Sequence, residues 1–145
     1  MEKKRYDNHL ELWGWLGGGK WGIERYLYTL HRITGVGILL FFTIHIFESS
    51  TRIFGMKTWD IIMKGMEFPL FTIGEVLVFT AFAFHALNGI RLILIELGFM
   101  VGKPEQPVYP YQSSLDVQRP MMMVIMVIVC VLVLAGGIDI LFLHK

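Results

Sequence analysis

Three apolar runs, each long enough to cross a lipid bilayer, constrain this chain more than any other feature. An α-helix rises about 1.5 Å per residue, so about 20 consecutive apolar residues span the hydrocarbon core. The first run extends from about Glu24 to Ser50 (ERYLYTLHRITGVGILLFFTIHIFESS), the second from about Pro69 to Met100, and the third from about Pro120 to Leu143 (PMMMVIMVIVCVLVLAGGIDILFL). Pro69 and Pro120 suit first-turn positions, where a missing N–H has no helical partner to lose. The expected architecture is all-α: one transmembrane domain over residues 1–145, with spans at about 24–50, 69–100 and 120–143 and an N-terminal interfacial segment over 1–23. Three helices make a thin bundle, so inward-facing polar residues call for a partner membrane protein that completes it.

The composition agrees, with 54% of the 145 residues hydrophobic and 17% charged, well off the balance of a soluble domain. A net charge of +1, with scattered cations, leaves no basic footprint for nucleic acid. The one cysteine, Cys130, lies inside an apolar run, which excludes a disulfide framework or a cysteine-ligated zinc within the chain. The opening stretch MEKKRYDNHLELWGWLGGGK lacks the apolar core and cleavage site of a secretory signal and reads as mature protein.

Orientation follows from the cations. Lys3, Lys4, Arg5, Lys20, Arg25, Lys103 and Arg119 fall on one side of the three runs, against Arg52, Lys57, Lys64 and Lys145 on the other. The positive-inside rule then places the N-terminus in the cytoplasm and the C-terminus outside. Trp13, Trp15, Trp21, Tyr26 and Tyr28 suit an inner aromatic belt and Trp59 the outer one. The proline-rich connection GFMVGKPEQPVYPYQSSLDVQRP (Gly98 to Pro120) is expected to be irregular and cytoplasmic, a place where a partner docks.

Ionisable side chains inside a span are costly and usually face a cofactor, a water path or another helix. His31, His45 and His85 are of this kind, with hydrogen-bonded packing as the plain alternative. Counted along the helices from the cytoplasmic end, His31 lies about 9 Å in, His85 about 18 Å and His45 about 30 Å. Axial ligands of one iron stand only about 4 Å apart, so the roughly 12 Å between His45 and His85 assigns them to different centres. His31 falls at neither level, so any second axial ligand is expected from the partner. Gly35 lies four residues after His31 and Gly89 four after His85, on the same faces, where a missing side chain admits a flat macrocycle or a neighbouring helix.

A haem between helices asks for an imidazole whose second nitrogen is fixed, apolar walls, and cations for its propionates near the surface. His85 and His45 are the candidate imidazoles, and Phe41, Phe42, Phe82 and Phe84 the walls. Arg32 and Arg91 lie about 9–11 Å from the cytoplasmic end, placed for propionates or a quinone carbonyl, with snorkelling to headgroups as the alternative. Glu48, Glu75 and Asp139 fall toward the outer side, as interfacial groups or a proton route.

The stretches LHRITGVGIL (Leu30 to Leu39) and FHALNGIRLILIELGF (Phe84 to Phe99) resemble the cytochrome b membrane anchor of succinate dehydrogenase (succinate:quinone oxidoreductase, respiratory complex II). The resemblance covers most of the first two spans; the third matches only in being apolar. It implies a multi-pass subunit of the cell (inner) membrane. With a second membrane-anchor subunit, it would hold a flavoprotein and an iron–sulfur subunit on the cytoplasmic side and help form a quinone site.

The resemblance further implies haem b contacts at His85, on the proximal iron, and at His31 and Arg32 beside the propionates; Arg91, Gly35 and Gly89, placed above by depth and helix face, complete the candidate haem-binding set. His45 fits relatives with two haems, in which a helix-one histidine binds the distal iron. Quinone contacts are implied at Tyr28, Thr29 and Arg32, although Tyr28 stands where many members carry a serine, and Leu92 where a histidine often follows the arginine. Two other readings stay open: the anchor of a fumarate reductase or another respiratory complex, and a haem-free structural or transport subunit.

Overall fold

The structure is a computed structural model that describes residues 22–101 and 113–143. The interfacial segment up to residue 21, with Trp13, Trp15 and Trp21, lies outside the described residues, as do most of the proline-rich connection (102–112), Lys103 and Lys145. Helix α1 runs Ile23–Ser50 and passes through a 3-10 turn, Thr51–Phe54, into a short helix α2, Met56–Met66. Helix α3 covers Pro69–Glu96, and α4 covers Leu115–Ile138 before a final π-helical turn at Asp139–Leu143. No strand occurs among the described residues. All three expected spans are present as helices long and apolar enough to cross a membrane.

The boundaries follow from local chemistry. Phe68 is extended (φ −68, ψ 135), as a residue before proline prefers, and Pro69 then opens α3 at its first position. At the other end Gly98 takes φ 85, its N–H reaching Ile95 O at 2.9 Å while Phe99 N–H reaches Leu94 O at 3.1 Å. This left-handed glycine cap satisfies the last carbonyls and ends α3 at Glu96, short of the Met100 expected from hydropathy.

Pro120 departs from expectation. It lies inside α4, whose i→i−4 ladder opens with Gln118 N–H on Ser114 O at 3.1 Å. The helix starts early because the Ser113 hydroxyl accepts the Leu115 N–H at 3.3 Å and Asp116 sits in the positive first turn. Pro120 therefore has no N–H to give the Asp116 carbonyl. Helix α2 was also not expected, because at 11 residues it is too short to stand out as an apolar run.

Helix α3 is the middle of the molecule and packs against both α1 and α4. Leu27, Phe84, Met122 and Val129 form the buried cluster where the three meet. Phe84, expected as apolar bulk beside a haem, lies in this core. Lower down the α3–α4 seam, the Phe79 ring lies directly against Gly136, the close approach that small residues permit between membrane helices. Leu39, Ile44, Phe47, Leu77, Val127 and Leu134 point outward, as expected of surfaces that meet lipid or another protein.

The starts of α1 and α4 are joined by an ion pair, Arg119 Nε donating to Glu24 Oε1 at 2.7 Å. Arg119 is exposed and Glu24 half-buried, at helix ends where salt and mobility erode such pairs. Arg119→Gln is therefore expected to leave the thermal unfolding midpoint of the purified protein unchanged within error. A clear drop would mean that the pair is buried in the assembled protein.

Candidate functional site

The histidines at the heart of the α1–α3 seam are His31 and His85, whose rings stack with centroids 3.9 Å apart and planes within 5° of parallel. The two therefore stand at one level, against the 9 Å difference expected from counting along the spans. The count assumed that α1 begins where α3 ends; the stack shows that the α3 terminus runs on by about 9 Å along the axis, tilt included. His45 follows His31 by fourteen residues on the same helix, about 21 Å along it, so its distance in depth from His85 is larger than expected.

Each imidazole rests over the other helix's glycine. A Cβ on Gly35 would meet His85 Cε1 at 2.8 Å, and one on Gly89 would meet His31 Cε1 at 3.4 Å. The two glycines expected to give clearance thus give it to an imidazole of the facing helix.

The hydrogen bonds fix the His85 tautomer. Its Nδ1 lies 3.0 Å from the His31 carbonyl oxygen and 3.3 Å from Thr34 Oγ1. The Thr34 hydroxyl is itself directed at the Leu30 and His31 carbonyls, at 2.9 and 3.0 Å. A carbonyl only accepts, so the proton sits on Nδ1, and Nε2 carries the lone pair. That is the state of an imidazole prepared to ligate a metal, its far nitrogen held by a carbonyl. His31 differs, since its Nδ1 is buried with no hydrogen-bond partner.

One turn farther along the same seam, Ile38, Phe41, Phe42, Phe79 and Phe82 line an open apolar groove with Glu75 at its edge. Three of the four phenylalanines expected as walls are here. His45 lies beyond, its ring stacked on Phe41 at 5.6 Å. Its Nδ1 meets Glu48 Oε2 at 3.2 Å and its Nε2 meets Ser49 Oγ at 3.4 Å. A carboxylate accepts from Nδ1–H, so the Nε2 lone pair takes only the long contact from Ser49.

Arg91, expected near a membrane surface, is 5% exposed in the three-helix core, where its Nε donates to Asn88 Oδ1 at 3.0 Å. Asn88 is wholly enclosed, and its Nδ2 has no partner. The role of Asn88, obscure in the sequence, is thus to accept a hydrogen bond from a buried guanidinium one turn along the helix. Arg32 points outward, its Nη1 donating to the Tyr28 hydroxyl at 3.3 Å with the guanidinium 5.6 Å from that ring's centroid. Thr29 is buried in the bundle, so of the three expected quinone contacts only Tyr28 and Arg32 share an exposed face. No group of three or more His, Cys, Asp or Glu side chains converges among the described residues.

Residues 4–134 match the family described as succinate dehydrogenase/fumarate reductase transmembrane subunit. The chain is 33% identical to the succinate dehydrogenase 2 membrane subunit of Mycobacterium tuberculosis over 66 residues, 46% of this chain and 48% of that protein. It is 29% identical to the succinate dehydrogenase hydrophobic membrane anchor subunit of Halobacterium salinarum over 87 residues, 59% of this chain and 63% of that one. These matches span about half to under two thirds of the relatives' own length. No solved structure matches the chain.

Proposed function

From a chain that belongs to the succinate dehydrogenase/fumarate reductase transmembrane subunit family, we infer a haem b-binding membrane anchor of a succinate dehydrogenase. It sits in the cell membrane with a second membrane subunit and carries a flavoprotein and an iron–sulfur subunit on the cytoplasmic side. The names of both relatives support succinate oxidation as the working direction. The chain itself performs no bond chemistry; it positions an electron path that ends on quinone.

The observation that carries this reading is the His85 tautomer, with Nδ1–H held by the His31 carbonyl and Nε2 left basic. His85 would hold one haem and His45, its Nδ1 held by Glu48, a second nearer the opposite surface. Phe41, Phe42 and Phe82 keep water away between them. When bound, haem supplies one-electron storage between the iron–sulfur clusters and quinone. Arg32 and Tyr28 present a cation and a hydroxyl together on the outer face of α1, suited to a propionate or a quinone carbonyl.

His85→Ala and His45→Ala, made singly in the assembled complex, are each expected to remove one haem b, read from the reduced-minus-oxidised spectrum per complex. Full haem content in both variants would refute the assignment. One observation favours a second reading: His31 and His85 fill each other's glycine notches as packing residues do. On that reading the anchor is haem-free, and the purified wild-type complex shows no haem b bands at all.

A further inference from the structure

Helix α2 is tied to the membrane at both ends. Five residues, 51–55, link it to α1, and two, Glu67 and Phe68, link it to α3. Around its axis Met56, Trp59, Ile62, Met63 and Met66 fall within an arc of about 120°, while Asp60, Lys64 and Lys57 crowd the adjacent flank. Only Ile61 is a large apolar residue off that stripe.

The described residues leave the stripe only partly covered. Met56 is 61% and Met63 39% exposed, Trp59, Ile62 and Met66 are half-buried, and Ile53, Phe54 and Phe68 stand open beside them. Arg52 reaches back over the Trp59 ring at 5.8 Å, holding that indole at the junction of α1 and α2.

We propose that α2 is an interfacial helix lying in the leaflet into which α1 emerges, its methionine-rich stripe in the acyl region and Lys57 and Lys64 at the level of the lipid phosphates. The segregation of faces, the tethers at both ends and the cations on the water-side flank suit this occupant. Asp60, one turn before Lys64, limits the charge, so the seat is mainly hydrophobic. The inference needs a membrane-spanning chain, and it stands or falls separately from haem binding.

The test places a photo-cross-linking benzoylphenylalanine in turn at Met56, Met63, Lys57 and Lys64 of the full chain, in the assembled complex within its own membrane. Phospholipid adducts, identified by mass, are expected at Met56 and Met63 in at least about threefold higher yield than at the two lysine positions. Adducts to a protein partner at Met56 and Met63, or equal lipid yields on both faces, would overturn the proposal. In the same assay K57E/K64E is expected to lower the Met63 lipid yield by about twofold or more, because carboxylates at the level of the lipid phosphates lift that flank away from them. An unchanged yield would remove the lysines from the headgroup layer. Haem content, measured alongside, is expected to stay at its wild-type value in all these variants.

Discussion

Asn88→Leu is expected to lower the stability of the purified protein by about 3 kcal/mol, the scale of a lost hydrogen bond to a charged group plus its exposed desolvation cost. The substitution puts a bulkier side chain into a wholly enclosed site and leaves the Arg91 Nε without the oxygen that accepts it. A guanidinium stranded in a membrane interior is among the more costly single defects available. Asn88→Asp, which keeps an acceptor and supplies a countercharge, should hold stability near the starting value. The double variant Asn88→Leu, Arg91→Leu should recover much of the loss, because both ends of the interaction are then apolar. Detergent-solubilised unfolding in a graded denaturant series reads all three. A loss under about 0.5 kcal/mol for Asn88→Leu, the level of an ordinary surface change, would contradict the burial of the pair.

The second large effect is at Gly35. Its Cα faces the His85 ring so closely that an alanine methyl would fall 2.8 Å from Cε1. The ring cannot simply swing aside, since Nδ1 is anchored on the His31 carbonyl and the His31 imidazole covers its face. Gly35→Ala is expected to cost about 1–3 kcal/mol by overpacking. Gly35→Leu should go further and separate α1 from α3 at this level. Gly89→Ala makes the informative contrast: its methyl would sit 3.4 Å from His31 Cε1, a tight contact that a ring without an Nδ1 partner relieves by a small shift. The two alanine variants compared by thermal melting should therefore differ clearly, with Gly35→Ala the weaker protein. Equal melting points would mean that the two notches are equivalent and that the His85 anchor is not rigid.

The three spans are legible in the sequence because run length and hydropathy need no tertiary knowledge. Helix α2 is equally helical, yet its signal is the spacing of Trp59, Ile62, Met63 and Met66, a period that a search for long apolar runs passes over. Pro120 looks like a helix start because proline favours the first turn; Ser113 and Asp116, several residues earlier, carry the actual start signal.

At the site, the facing of His31 and His85 by Gly89 and Gly35 involves residues the sequence singles out, and their relative height was not readable. Counting residues fixes depth along one helix, but two helices share a scale only if their ends are level, and a left-handed cap at Gly98 on one side says nothing about the start of the other. The pairing of Asn88 with Arg91 was within reach, three residues apart on one helix. Its burial depended on which face of α3 meets both neighbours, and α3 is apolar nearly all round, so no stripe marks that face.

The crossed notches have a mechanical consequence. A slide of α1 past α3 by one turn would bring His85 against Leu39 or His31 instead of Gly35, and His31 against Ile93 or His85 instead of Gly89. Either step forces a ring into a side chain, so the two segments behave like a key cut at two teeth and turn or tilt only together. A piston stroke of one segment along its neighbour is therefore closed to these two spans, which move as one stiff strut.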